Sequence, residues 1–223
     1  MQCRSTRIRQ ATQQRLQSCS TLARNNFASK SRKHEKQNVK YHRKVIIMSI
    51  QIRPAKSEDM AACAALYKEI YNTTYQGVVD SRLVTSINQE DTVQRMRGNW
   101  LQPGAEFVIA EEIDEAGNTT FLGFSSGRPS PDVLGVFWLE MLFLCETARG
   151  KGLGRKLINH MGNVARSQGY NQMVIDVFVG NDNAEAMYRH LGAELINDNY
   201  MEEINLFPVK AKLLLWEDLE RFA

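Results

Sequence analysis

The stretch CETARGKGLGRKLINHMG, residues 145–162, constrains the fold more than any other part of the chain. An apolar run, VFWLEMLFL, precedes it, and apolar residues at helical spacing follow it. Gly150, Gly152 and Gly154 alternate between the two, and glycine readily adopts backbone conformations that other residues avoid. The sequence therefore predicts a buried strand that turns tightly into a helix, with a turn that a ligand can approach closely.

The same turn has the chemistry of an anion site. The first N–H groups of a helix have no partner within the helix, and the helix dipole is positive at that end. Arg149, Lys151, Arg155 and Lys156 add full positive charges. These features together are typical of a phosphate site. A tight strand-to-helix turn with solvated basic residues is the alternative that this stretch alone leaves open.

Two familiar phosphate-binding motifs do not match. A Walker-type loop counted from Gly150 requires glycine and a hydroxyl residue where the chain has Arg155 and Leu157. The dinucleotide motif Gly-x-Gly-x-x-Gly has Arg155 in its last place when counted from Gly150, and Leu157 when counted from Gly152. Both classes of nucleotide site are excluded.

The rest of the body alternates between strand and helix patterns. A strand at SIQIRPA precedes a helical segment, and a second helical region spans residues 81–101, broken near NQED. EFVIAEEI and TTFLGFSSG flank DEAGN and predict an antiparallel hairpin. VFWLEMLFL, QMVIDVFV and KAKLLLW predict further strands, and NDNAEAMYRHLGAE predicts a short helix for which Asp182 and Glu185 have capping-box spacing. The expected fold class is α/β, a mixed sheet with helices on both faces.

Composition divides the chain in two. Of 28 basic and 25 acidic residues, 12 basic and one acidic residue lie in residues 1–47, so that segment is strongly basic and residues 48–223 are net acidic. We expect residues 1–47 to be disordered because they contain little apolar surface to bury, and residues 48–223 to form one domain. The segment has three interpretations: an extension ahead of a true start at Met48, an organelle-targeting leader, or a basic arm that binds nucleic acid.

Other features narrow the class of protein. No apolar run approaches the roughly 20 residues that cross a bilayer, so we expect no membrane association and a cytoplasmic location unless residues 1–47 direct the chain to an organelle. Two of the four cysteines, Cys63 and Cys145, lie in the body without metal-ligand spacing, and we expect neither disulfides nor a metal site. Nucleic acid is an expected partner only through the basic leader.

The motif Arg149-Gly150-Lys151-Gly152-Leu153-Gly154 resembles the Arg/Gln-x-x-Gly-x-Gly/Ala signature of the GNAT superfamily of acetyl-CoA-dependent N-acetyltransferases. The strand LEMLFLCETA before it, the strand MVIDVFV after it, and the helix NDNAEAMYRHLGAE stand where that family has them. The opening IRPAKSEDM is also similar, so the resemblance covers about residues 48–200. It departs from the family at residues 146–148, where a proline is frequent, and at Ala193, where phenylalanine is usual.

The resemblance implies a GNAT-type fold: a mostly antiparallel central sheet with one splayed parallel strand pair, and helices on both faces. It also implies that acetyl-CoA is the acetyl donor, with its pyrophosphate on the glycine turn and its pantetheine arm paired with exposed main-chain groups where the strands part. The candidate cofactor-binding residues are Leu142, Leu144, Arg149, Gly150, Lys151, Gly152, Leu153, Gly154, Arg155 and Asn181. Asn183 is a rival to Asn181, and helix capping is the alternative role for Asn181.

The candidate catalytic residues are Tyr188 and Glu140. The family's helix tyrosine, which protonates the leaving thiolate, corresponds to Tyr188; a half-buried core aromatic is the alternative. An ammonium with a pKa near 10.4 must lose a proton before it reacts, so a base is needed. Glu140 is the candidate because an acid inside an apolar strand is costly to bury, although a glutamate paired with arginine would fit the pattern equally. None of the four histidines is well placed, and Cys145 is expected only to pack.

The expected reaction is transfer of the acetyl group to a primary amine by direct attack. A noncatalytic acyl-CoA-binding module on the same fold is the first alternative, and an RNA-associated protein acting through the basic leader is the second. The acceptor itself is not encoded in a motif; acids near residues 198–203 weakly favour a cationic amine such as a polyamine, an aminoglycoside or a protein N-terminus. The chain could form a homodimer.

Overall fold

The computed structural model describes residues 48–222. The predictions made for residues 1–47 lie outside the described residues. Within them, a seven-stranded sheet has the strand order β1-β2-β3-β4-β5-β7-β6. The strands are β1 Ser49–Pro54, β2 Glu106–Ile113, β3 Thr119–Pro129, β4 Val136–Leu144, β5 Gln172–Phe178, β6 Glu194–Ile204 and β7 Phe207–Trp216.

The pairing is antiparallel at every strand boundary except between β4 and β5, which run parallel. The crossover between these two strands contains the glycine turn and a helix, as a parallel connection requires. The helices are α1 Met60–Thr73, α2 Ser81–Ser86, α3 Gln89–Trp100, α4 Leu153–Ser167 and α5 Asp182–His190. Short 3₁₀ turns occupy Ser57–Asp59, Glu146–Ala148 and Leu219–Phe222.

Helices cover both faces of the sheet, as predicted. On one face α1, α2 and α3 pack on a core that includes Phe107, Phe124 and Met141. On the other face α4 and α5 pack on a second core around Phe137 and Trp216. The mixed α/β architecture expected from the order of the elements is therefore confirmed.

Helix α4 shows why the sequence folds locally as it does. Its apolar stripe, which includes Leu157, Ile158 and Met161, is fully buried against the sheet, and its charged residues lie on the opposite side. The helix ends at Ser167, and Gly169 follows with a φ of 88°, the left-handed conformation typical of a glycine after a helix.

The start of α5 differs from the prediction. Asn181 is the N-cap, and its side-chain oxygen accepts from the N–H of Ala184 at 3.4 Å. Asp182 is the first helical residue, and Glu185 forms ion pairs with Lys212 and Arg189 instead of closing a capping box. The capping-box spacing was off by one residue because Asn181 is an equally good cap.

The acidic segment near residues 198–203 also has more structure than the sequence indicates. It belongs to β6, which lies at the edge of the sheet and, among residues 48–222, pairs with β7 alone. Its pairing shifts twice, between Leu195 and Asn197 and between Asn197 and Tyr200. No helix among the described residues combines the length and the apolar character needed to cross a membrane.

Candidate active site

Strands β4 and β5 separate after their first three residue pairs. Val136, Phe137 and Trp138 pair with residues 172–174 of β5, and no pairing continues beyond Trp138. Residues 139–144 of β4 therefore have no β5 partner, and a gap opens in the sheet toward the glycine turn. This is the splayed parallel pair that the family resemblance implies.

The alternation of main-chain groups along β4 shows which residues face the gap. The carbonyl of Met141 accepts from Ser125 Oγ of β3 at 2.9 Å, and the N–H of Cys145 donates to the carbonyl of Leu122 at 2.9 Å. Successive residues of a strand direct their main-chain groups to opposite neighbours. The main-chain groups of Leu142 and Leu144 consequently point away from β3 and toward the gap.

A β-bulge in β4 lies beside this gap. Ser126 pairs with Met141 and Gly127 with Leu139, so Glu140 is the extra residue. The bulge reverses the side-chain alternation: Leu139 packs in the core beside α4, whereas Met141 packs in the core beside α1. A bulge of this kind redirects a side chain and is frequent next to active sites.

The glycine turn adopts the open conformation expected of it. Gly150 and Gly152 have φ values of 70° and 77°, and Gly152 is the N-cap residue of α4 without a side-chain cap. Arg149 N–H and Lys156 N–H donate to carbonyls of the chain at 3.1 and 3.2 Å. Between them, no main-chain N–H of residues 150–155 donates to an acceptor in the described part of the chain.

Positive charge surrounds these free N–H groups. Within residues 48–222, Lys151, Arg155 and Lys156 form no ion pair, and all three are exposed. Arg149 folds back and donates from Nε to the carbonyl of Leu144 at 3.2 Å. The turn therefore joins directly to the end of the gap.

The arrangement fits a ligand with a diphosphate and an extended chain of amides. Six free N–H groups and the positive end of α4 suit the diphosphate. A Cβ added at Gly150 or Gly152 would meet no atom within 4 Å, so the space beside the turn is open. The main-chain groups of Leu142 and the N–H of Leu144 face the gap and suit amides, whereas the carbonyl of Leu144 accepts from Arg149 Nε.

A cleft of about 300 Å³ lies on the α1 and α3 side of the gap. Four of the predicted site residues, Glu140, Leu142, Asn181 and Tyr188, line it together. Leu144 and residues 149–155 lie at the other end of the gap, outside the cleft lining. The gap between β4 and β5 thus has the cleft at one end and the glycine turn at the other.

Glu140 is paired in this cleft. Its Oε1 accepts from Arg128 Nε at 2.7 Å and, more weakly, from Asn99 Nδ2 at 3.5 Å. Its side chain is 15% exposed. This is the alternative that the sequence left open, a glutamate held by arginine, and the carboxylate is compensated by a fixed positive charge.

Asp176 of β5 was not among the sequence candidates, although it lines the same cleft. It accepts from Trp138 Nε1 at 3.3 Å, and no cation pairs with it among the described residues. Burial and then the negative charge of Glu202 raise the pKa of Asp176 to about 7. The argument that singled out Glu140, an acid inside an apolar strand, applies equally to Asp176 in QMVIDVFV and would have found it.

Tyr188 projects from α5 to the cleft while its ring packs against Trp216, with ring centroids 6.0 Å apart. Its side chain is almost fully buried. Burial, followed by the neighbouring Tyr75 and Asp176, raises the pKa of Tyr188 well above its ordinary value, so the hydroxyl keeps its proton at neutral pH. Tyr188 is both a core aromatic and a cleft residue.

Asn181 has two contacts. Besides capping α5, its Nδ2 donates to Tyr75 Oη at 3.3 Å. Burial raises the pKa of Tyr75 to about 12, and Asp176 is among the smaller causes. Asn181 thus fixes the hydroxyl of Tyr75, another residue that sequence reasoning missed, beside Asp176 and Tyr188.

The cysteines and histidines of residues 48–222 do not line the cleft. Burial raises the pKa of the Cys145 thiol, whose Sγ lies 3.7 Å from the carbonyl of Phe121. His160 and His190 do not line the cleft. Residues 48–222 contain no cluster of three or more histidine, cysteine, aspartate and glutamate side chains that could hold a metal ion.

The chain is similar to known acetyltransferases in sequence and in fold. Residues 65–193, more than half of the chain, match the acetyltransferase (GNAT) family. An L-methionine sulfoximine/L-methionine sulfone acetyltransferase of Pseudomonas paraeruginosa is 28% identical over 152 residues, 66% of this chain and 82% of that protein.

Solved structures share the fold. The acetyltransferase yncA of Salmonella typhimurium, determined with acetyl-CoA, has a TM-score of 0.58 at 19% identity and covers 77% of this chain and 94% of its own. The PaiA N-acetyltransferase of Thermoplasma acidophilum, determined with coenzyme A, has a TM-score of 0.55 at 17% identity and covers 74% and 98%.

The chain belongs to the GNAT acetyltransferase family. The predicted enzyme class, an acetyl-CoA-dependent N-acetyltransferase, is confirmed, and acetyl-CoA is the donor cosubstrate.

Proposed function

We propose that this enzyme acetylates the primary amine of a small molecule by direct attack on the thioester, with Asp176 as the general base and Tyr188 as the general acid. The observation that carries the proposal is the position of these two side chains in one cleft, where β4 and β5 separate. The relative from Pseudomonas acts on amino-acid derivatives, which supports a small acceptor.

The donor supplies an activated acetyl group as a thioester. In the proposal, the free N–H groups of residues 150–155 and the charges of Lys151 and Arg155 bind its diphosphate. Leu142 and Leu144 pair with its pantetheine arm through their main-chain groups. The side-chain amide of Asn181 offers a further hydrogen-bonding group at the end of that arm. The thioester would then lie at the cleft, beside Tyr188.

Asp176 has the properties that a base for this reaction needs. Its pKa of about 7 lets it accept a proton near neutral pH while keeping appreciable basicity. The acceptor enters as an ammonium and gives one proton to Asp176. The neutral amine then forms the new C–N bond as the C–S bond breaks.

Tyr188 completes the proton balance. The departing thiolate takes the proton of the Tyr188 hydroxyl, and the second N–H proton released from the amine replaces it. A buried phenol with a raised pKa stays protonated at neutral pH and can donate a hydrogen bond to the departing thiolate, and the proton that arrives from the amine completes the transfer. The products are an N-acetylated amine, free coenzyme A and the proton held by Asp176, which is released to solvent.

Glu140 is the second candidate for the general base, and its ion pair makes it less suitable than Asp176. Its pairing with Arg128 at 2.7 Å compensates its charge and restrains it, whereas Asp176 has no cationic partner in the described part of the chain. We therefore assign proton transfer to Asp176 and propose that Glu140 positions Arg128 and the bulged segment of β4.

The test is release of free coenzyme A thiol from acetyl-CoA across a panel of amines, with wild type beside Asp176→Asn, Glu140→Gln and Tyr188→Phe. All three substitutions preserve side-chain shape. We expect Asp176→Asn and Tyr188→Phe each to lower kcat roughly 100-fold or more, the range for loss of a general acid or base. Affinity for acetyl-CoA should change little in either variant.

Full activity of Asp176→Asn, together with loss of activity in Glu140→Gln, would show that Glu140 is the general base. A panel-wide absence of thiol release, with acetyl-CoA still bound in calorimetry, would support the noncatalytic acyl-CoA-binding alternative.

A further inference from the structure

Arg95 on α3 lines the acceptor cleft opposite the acids of the sheet. Among residues 48–222 two arginines line this cleft, and one of them is compensated by an acid. Arg128 is paired with Glu140 at 2.7 Å, whereas Arg95 forms no ion pair with any residue from 48 to 222.

The direction of the Arg95 side chain is informative. Asp91 lies one turn earlier on the same helix, and an acid four residues before an arginine is the usual partner for an exposed side chain. The two side chains form no ion pair. The guanidinium instead lies over the ring of Tyr67, 4.9 Å from its centroid, which holds it at the cleft.

The charge of Arg95 acts across the cleft. Burial raises the pKa of Glu202 on β6, and the positive charge of Arg95 is one of the influences that oppose this rise. The cleft therefore carries charges of both signs on different walls, with acids on the strands and an unpaired guanidinium on α3.

The acids of the cleft already have partners or are exposed. Glu140 is paired with Arg128, Asp176 accepts from Trp138, and Glu202 accepts from the hydroxyl of Tyr200 at 3.1 Å. Asp132 and Glu203 are exposed at the rim. Arg95 is exposed as well, and it is the cation of the cleft lining that has neither an ion-pair nor a hydrogen-bond partner among residues 48–222.

We propose that Arg95 binds a carboxylate of the acceptor, so that the preferred acceptors are zwitterionic small molecules, amino acids or close analogues, rather than polyamines. A guanidinium presents a planar fork that binds a carboxylate through two parallel hydrogen bonds. An acceptor held in this way has its amine directed toward Asp176. The inference rests on the proposed function, because it takes this cleft to be the acceptor site.

The experiment compares acceptors that differ only in charge. One set is L-methionine sulfone and its carboxamide; the other is 5-aminopentanoate, 5-aminopentanamide and 1,5-diaminopentane. Thiol release is measured for the full chain and for Arg95→Gln and Arg95→Lys. Arg97→Gln is the matched control, because Arg97 lies on the same helix outside the cleft and contacts Ser57 Oγ at 3.4 Å.

In at least one set, we expect the wild-type kcat/KM to be about tenfold or more higher for the carboxylate acceptor than for the others. The difference should lie mainly in KM, because acceptors without the carboxylate lose a charge-assisted hydrogen bond. Arg95→Gln should abolish this preference and leave the carboxamides unaffected. Arg95→Lys should retain part of it, because it keeps the charge without the fork. Arg97→Gln should behave as wild type.

Calorimetric binding of the same acceptors to the protein saturated with coenzyme A separates this inference from the proposed function. Preferential binding of carboxylates without thiol release would support Arg95 and contradict the reaction. Acetylation or binding that favours the carboxamide or the diamine would overturn the inference while leaving the reaction intact. A carboxylate preference that persists in Arg95→Gln would overturn it as well.

Discussion

Two acids stand inside apolar strands of this chain, and their surroundings decide what each can do. Glu140 is neutralised by Arg128, whereas Asp176 faces Glu202 and a tryptophan N–H. The sequence shows that an acid interrupts each strand, but it does not show which acid has a cation nearby, since Arg128 lies on a different strand. A partner distant in sequence is set by register, which no local pattern encodes.

The acid limb of the pH profile tests the role of Asp176. As a base it acts when deprotonated, so kcat/KM should rise with pH through about 7, the pKa of this group. Glu202→Gln removes the negative charge that contributes most to this pKa after burial, and the limb should move to lower pH. The measurement is kcat/KM between pH 5 and 9 in wild type and Glu202→Gln. If kcat/KM rises at the same pH in both proteins, a group other than Asp176 titrates there.

Asp176 should also make folding stability depend on pH. Its pKa in the folded protein, about 7, is above the ordinary value near 3.9, so the fold disfavours the ionised form. The resulting loss of stability is absent below about pH 4, grows as pH rises, and is complete above about 7. Asp176→Asn should therefore stabilise the protein at pH 8 by on the order of 1 to 4 kcal/mol and have little effect at pH 4.

Urea unfolding of wild type and Asp176→Asn at both pH values measures this difference. Asparagine can still accept from Trp138, so packing should be retained. A gain of equal size at both pH values would mean that the substitution acts through packing and that the aspartate is not the titrating group.

At the scale of elements, the glycine turn and the helix after it could be predicted from the sequence because local chemistry determines them. Alternating glycines allow positive φ at Gly150 and Gly152, and the apolar stripe fixes the buried side of α4. The bulge at Glu140 and the pairing of β6 could not be predicted from the sequence. Both depend on how two strands align, which is why Tyr200 and Glu202 were placed in an acidic segment without a known position.

Two glycines at opposite ends of α4 provide a matched test of the phosphate site. Gly152 and Gly169 have φ values of 77° and 88°, and an added Cβ would meet no atom within 4 Å at either position. Alanine should therefore cost a similar roughly 1 to 2 kcal/mol of stability at each site. Only Gly152→Ala should weaken binding of coenzyme A, by about tenfold, because its methyl group enters the space beside the free N–H groups.

Calorimetric titration with coenzyme A measures both affinities, and thermal unfolding confirms that the two variants are equally folded. Equal affinity of Gly152→Ala and Gly169→Ala would contradict the assignment of the turn as the diphosphate site.

At the scale of the whole molecule, the order of elements predicted the mixed sheet, and the family resemblance implied its one parallel pair. The order of elements did not predict that β7 would insert between β5 and β6, because hairpin partners can exchange places without changing their local pattern. The gap between β4 and β5 came from the family resemblance. The structure shows its physical form: pairing stops at Trp138, and the bulge follows two residues later.

The charge division of the chain leads to a prediction about residues 1–47. We expect a chain shortened to residues 48–223 to fold and to keep its kcat/KM within about twofold, since the sheet, the cleft and the glycine turn all lie within 48–222. Thermal unfolding and thiol release of the shortened and full-length chains, measured side by side, test it. A large loss in either would show that the basic segment belongs to the catalytic domain.

The central claim is that main-chain N–H groups bind the donor at two places, the turn at 150–155 and the gap beside Leu142 and Leu144. A crystal structure of the enzyme with coenzyme A tests it most directly. The account predicts diphosphate oxygens within hydrogen-bonding distance of the N–H groups of the turn, and the pantetheine amides paired with β4 inside the gap. Coenzyme A bound elsewhere, or β4 and β5 paired along their full length in the complex, would contradict it.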